Sequence, residues 1–399
     1  MPTKKDVKLY FAGTVKIKLM QKFIFSLIFL LQITLAGVCQ GPTHDFERVR
    51  MGNAKHILCG LDISPDGQYL AISSVQSFPF YIFDWQGRTV KQEFSVGNWY
   101  AGSYIRYSAD GRYIILQKLL YADWAQNKDK EVTFEIIEAA TGKVVKRFDS
   151  YHALTISPDS KYAISLSGEE VAFWDLSSGS KEKSFKVNSA TNGVAISPDG
   201  RKVAVSHRAL EIDLENNPRF KKDKKALKNV VKYKQQVSVY NAETFEKEYT
   251  VDEFYDIIYR LKYSPDGKTL FCVQIPHLKS DAKGNKRQTF ISTINGETGE
   301  PLRKGFTSQS NYEPDFKLSH NGKLFGLVSL GEKFPEIHIY DFETGRMLHR
   351  FELSVRMFEK KDGEWVANTD GRSSFVFLPD DKTVVFTMGN HLIYWKIEN

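Results

Sequence analysis

The chain has 399 residues, 42% of them hydrophobic and 26% charged, with a formal net charge of +7. That length and apolar content allow a large core, and only three cysteines exclude a disulfide framework. Residues 1–39 hold six Lys and one Asp, so the remainder carries only +2, and bulk charge gives no ground for a nucleic-acid partner.

The N-terminal segment reads as an export signal. Phe23 to Ala36 is an apolar run of 14 residues broken only by Ser26, Gln32 and Thr34; Lys16, Lys18 and Lys22 precede it and Ala36 and Gly37 end it. This is the layout of a secretory signal peptide, and the run is too short to span a bilayer comfortably. The expectation is a signal peptide over 1–39, cleavage after Cys39, and a mature chain that starts at Gln40, lies in the periplasm or outside the cell, and has no transmembrane span. A lipid anchor on Cys39 is disfavoured because Val38 stands where a small residue is needed.

From residue 45 onward a turn motif recurs. Ser-Pro-Asp-Gly starts at Ser64, Ser197 and Ser264. Close variants start at Ser108 and Ser157, and degenerate ones at Ser319 and Leu378. Short apolar runs flank each copy, as in Leu61-Asp62-Ile63 and Tyr69-Leu70-Ala71-Ile72. Proline presets φ for a turn and Asp-Gly completes it, so each copy predicts a hairpin. A second hairpin follows each first one, as in Val171 to Gly179 and Ile337 to Gly345. Each period therefore holds four strands. The turn motifs are spaced by 44, 49, 40, 67, 55 and 59 residues, a repeat array with insertions.

Four-stranded repeats of this length are propeller blades. The last repeat stops at Leu392 to Ile397 as a third strand, whereas Phe46 to Met51 precedes the first hairpin and reads like a fourth strand. Pairing the two closes the ring and removes two open sheet edges. The predicted fold is all-β: one seven-bladed β-propeller of four-stranded antiparallel blades over 40–399, closed by its N-terminal strand. Cys59 and Cys272 fall in non-neighbouring blades and are expected as buried, unpaired core residues.

Trp174-Asp175 is a literal Trp-Asp dipeptide, and Phe83-Asp84 and Tyr340-Asp341 stand at the equivalent place. Over residues 45 to 399 the chain resembles WD40-like β-propeller repeat proteins, in a Ser-Pro-Asp-Gly style similar to bacterial TolB-like propellers. The Gly-His element of WD40 repeats is missing, so the resemblance does not carry over that family's Asp–His network.

The long connections fall at one end of the ring, where loops on a rigid scaffold carry function. They are Leu119 to Lys130, Ala209 to Gln235, Pro276 to Arg287 and Ser354 to Ser373. Their aromatics, with those of the blade-joining loops, are candidate partner anchors: Trp99, Tyr100, Tyr121, Trp124, Tyr255, Tyr312, Phe358 and Trp365. Covering the blade tops as satellite core is the alternative use of these rings. The segment Arg208 to Lys234 carries nine Lys or Arg against four Asp or Glu. Here Lys221, Lys222, Lys224 and Lys225 are candidate contacts for an acidic partner, polyanion or lipid headgroup. The segment itself is expected as a solvated loop with a short helix over 221–231.

No Gly-x-Ser-x-Gly elbow, phosphate loop, dinucleotide fingerprint or His-Glu-x-x-His is present. The nine histidines show no metal-ligand spacing, and His338 is expected as a packed mid-strand residue. The reading is an exported, monomeric, non-enzymatic module without cofactor or metal that binds a protein or peptide on its insertion-bearing face. The alternatives are a propeller enzyme with a central-channel site, resembling lactonases or quinoproteins, and a TolB-like envelope scaffold.

Overall fold

In a computed structural model, the described residues lie within 46–397, apart from 53–56, 76–78, 96–102, 119–131, 216, 276, 278–287, 310–314, 331–334, 354–357, 362–363 and 368–372. Seven four-stranded antiparallel sheets follow one another, each pairing its strands in sequence order. Their innermost strands are Leu58–Ile63, Ser103–Tyr107, Ala153–Ile156, Ala190–Ile196, Ile257–Tyr263, Phe316–Leu318 and Phe375–Phe377. The seventh blade is completed from the other end of the chain. Phe46–Arg50 pairs antiparallel with His391–Lys396, in a register that sets Phe46 opposite Trp395 and Arg50 opposite His391.

The turn motif has a local cause. In the first blade the Ser64 hydroxyl donates to Asp66 Oδ1 at 2.5 Å and accepts from Tyr69 N at 2.9 Å, while Gln68 N donates to the same carboxylate. Ser108, Ser157, Ser197 and Ser264 repeat this network. The fourth motif position needs a left-handed backbone: Gly67 sits at φ 72°, and Ser160 and Asp381 adopt φ 54° and 52° at the same place. A Cβ on Gly67 would also lie 2.6 Å from Pro379, the turn proline of the preceding blade. Asp381 is offset by accepting His320 N at 2.8 Å and Asn321 N at 3.0 Å from the neighbouring turn.

Alternation along each strand feeds two cores. Ile114 and Leu116 pack towards the first blade, and Ile115 between them packs towards the third. An apolar cluster fills every junction between consecutive blades. The junction of the seventh blade with the first is filled as well, by Leu58, Leu61, Tyr81, Val385 and Tyr394 among others. Cys59 and Cys272 are buried thiols, and Cys59 Sγ lies 3.4 Å from Ser73 Oγ.

The Trp-Asp position works without a histidine. Asp175 caps its own turn, accepting Ser178 N at 2.8 Å and the Ser177 hydroxyl. His338 lies mid-strand with Nε2 2.6 Å from Glu336 Oε2, and burial pushes its imidazole pKa down.

Candidate functional site

Two regions of the ring concentrate chemistry. The first is the insertion between the second and third strands of the fourth blade. It is folded, contrary to the expectation of a solvated loop. Helix α1 spans Glu211–Leu214 and helix α2 spans Lys224–Tyr233, capped by Asp223, whose side chain accepts Ala226 N at 2.8 Å. Ala209, Leu214, Phe220 and Leu227 are buried together, with Val230, Val231 and Phe254 against them. Phe254 belongs to the loop between the fourth and fifth blades and meets Phe220 edge-on at 5.5 Å. Lys234 bonds Asp256 at 2.8 Å, and Gln235 and Tyr255 exchange backbone hydrogen bonds. Burial of the Phe220 ring stabilises the fold by about 1.5–3 kcal/mol, more than a solvated loop offers.

Tyr255 is corrected by the same observation. It is 3% exposed and belongs to the core joining the fourth and fifth blades, so it is not available to a partner. Lys221, Lys222, Lys224 and Lys225 are exposed, and none forms an ion pair among the described residues. With Lys228 and Lys232 they make a basic ridge beginning at the N-terminal end of α2. Cations there oppose the helix dipole, a local cost that an acidic neighbour would remove. Trp365 lies in a hairpin, Phe358–Lys361 with Glu364–Ala367, opposite Lys360. The backbone of Phe358 starts that hairpin. Trp99, Tyr100, Tyr121, Trp124 and Tyr312 lie outside the described residues.

The second region was not singled out from the sequence. The residue two positions before each turn motif is charged in four blades: Asp62, Arg106, Lys262 and Lys317. Four positions before, on the same side of the strand, stand Arg260 and Asp315 in the fifth and sixth blades. These six side chains converge across the ring. Lys317 of the sixth blade donates to Asp62 Oδ1 at 3.1 Å and to Leu61 O at 3.2 Å in the first. Arg260 of the fifth blade stands 5.9 Å from the Tyr104 ring of the second and 3.9 Å from Asp315. Arg106 donates to Leu154 O at 2.6 Å.

Burial, then the neighbouring Lys317 ammonium, push the Lys262 amine down to about 8. Burial and Arg260 likewise push Arg106 down to about 10, still charged at neutral pH. Among the described residues no three His, Cys, Asp or Glu side chains gather as a metal site, and no helix is long and apolar enough to cross a membrane.

No family model and no curated protein sequence matches the chain. Among solved structures it is similar to the β-propeller domain of Cps50 (Swd1) from Myceliophteria thermophila. The likeness covers 88% of this chain and 100% of that one at 11% identity, with a TM-score of 0.58. At that identity the likeness speaks to architecture alone, and it agrees with the propeller described above. The chain therefore has the WD40-like β-propeller fold: seven four-stranded blades, with the seventh completed by its N-terminal strand.

Proposed function

We propose that this propeller is an exported, non-enzymatic binding module that captures an acidic protein or peptide on its insertion-bearing face. The observation that supports the reading most is the folded basic insertion. Its small core fixes α2 to the blade-joining loop at Phe254, so the lysine ridge is held in place before any partner arrives. A surface held in its bound geometry loses less ordering entropy on association. Exposed lysines without intramolecular partners are free to exchange solvent for carboxylates.

The test replaces Lys221, Lys222, Lys224 and Lys225 together by Ser and compares capture from an envelope extract. These side chains lie outside the small core, so the variant is expected to melt within about 1 kcal/mol of the parent. The same variant should lose the captured protein, and capture by the parent should fall steeply as salt is raised past about 0.1 M. Equal capture by parent and variant, or capture indifferent to salt, contradicts the reading. N-terminal sequencing of the exported protein should find Gln40 first; an intact, cytoplasmic chain contradicts export.

A further inference from the structure

The channel cluster is unbalanced. Asp62 is already used twice, accepting the Lys317 ammonium and Tyr107 N at 2.7 Å. Asp315 accepts the Ser374 hydroxyl at 2.6 Å and Phe375 N at 3.3 Å, with Arg260 beyond hydrogen-bond distance. Among the described residues, four cations stand against these two carboxylates, a formal excess of two positive charges. The side-chain ammonium of Lys262, half-buried in the channel, makes no hydrogen bond among the described residues although it has three donors. Lys317, Asp62, Arg260 and Arg106 are the charged groups acting on it.

An excess of like charge held together works against folding, and neutral side chains stand at the equivalent positions Thr155, Ala195 and Val376. The repeat itself therefore does not demand charge there. Two guanidinium and two ammonium groups that act on one another across the channel supply the charge and the donors that an oxyanion takes. We propose that the channel binds a compact oxyanion bearing two negative charges, a phosphate group or a dicarboxylate, through Lys262, Arg106, Arg260 and Lys317. One arginine side chain nearly crosses the channel to Tyr104, so the occupant is a small molecule and not a polypeptide segment. The site is built from inner strands, separate from the insertion, so it stands or falls independently of the partner-binding proposal.

Calorimetric titration at neutral pH and low salt, about 20 mM, with inorganic phosphate in one arm and malonate in another, tests this. At least one should bind with Kd below about 1 mM, and the two arms identify which oxyanion fits. Lys262→Met should weaken that binding about tenfold or more, the loss of one charge-assisted hydrogen bond. Lys262→Arg should keep it within about threefold. Without added anion, Lys262→Met should melt higher than the parent, because it removes an uncompensated charge. Three results overturn the proposal: neither anion binding beyond matched chloride, Lys262→Met binding as tightly as the parent, or Lys262→Met melting lower or failing to fold.

Discussion

A chain lacking residues 46–51 is expected to aggregate, or to melt far below the full-length protein. The strand Phe46–Arg50 supplies five ladder positions to the seventh blade, and Met51 N donates to Asn390 O at 2.8 Å. Met51 is 2% exposed in the core between the seventh and first blades. The Arg88 guanidinium lies 3.6 Å from the Tyr394 ring centroid and reaches Glu47 at 2.7 Å, tying the first blade to that strand. Backbone hydrogen bonds at about 1 kcal/mol net each, with a buried Met at about 1.5–3 kcal/mol, bring the loss to about 5 kcal/mol or more. That is comparable with the whole stability of many domains. The deletion also bares the edge of His391–Lys396, a template for intermolecular pairing. Calorimetry and sedimentation would measure both effects. A monomeric deletion product with unchanged melting contradicts closure by this strand.

The second large effect is a gain. Lys262 has its pKa lowered from about 10.5 in the unfolded chain to about 8 in the fold by burial and by Lys317. Below pH 8 both states carry the proton and the folded state bears the full cost of the charge. Between pH 8 and 10.5 the unfolded chain binds more protons, so this group's contribution to stability rises with pH. At about 1.4 kcal/mol per unit, Lys262→Met should therefore be more stable than the parent by up to about 3 kcal/mol below pH 8. The difference should shrink towards zero near pH 10.5. Buried groups such as Tyr81, whose phenol burial pushes up to about 12, act in the opposite direction at high pH in both proteins and cancel in the comparison. Chemical denaturation of the two proteins across this range checks the sign. A difference that grows with pH would contradict it.

The architecture was legible because its cause is local. Ser64, Pro65, Asp66 and Gly67 close their own turn through bonds at most five residues apart, so each repeat announces itself without knowledge of its neighbours. Closure was legible too, since a missing fourth strand and a spare first strand fit one another. The fold of the insertion was not, because its core borrows Phe254 from the next inter-blade loop and its exit is fastened to Asp256. Charge-rich composition suggested solvation, while three apolar side chains, Leu214, Phe220 and Leu227, decided the outcome. Tyr255 misled in the same manner: a loop aromatic by sequence is a core residue once two blades meet. The channel cluster leaves a trace in the repeat register, as charges at equivalent positions. Arg106 and Arg260 come together only across a closed ring, and no spacing along the chain reveals that.

Cross-linking mass spectrometry with an amine-reactive reagent, applied to the propeller while it holds its captured protein, tests the binding face most directly. Lysines on both ends of the ring are exposed, so the reagent does not prejudge the answer. Cross-links to the partner should concentrate on Lys221, Lys222, Lys224, Lys225, Lys228 and Lys232. Cross-links concentrated instead on Lys161 and Lys268, which follow the tight turns at the opposite end, would contradict the assignment of the insertion-bearing face.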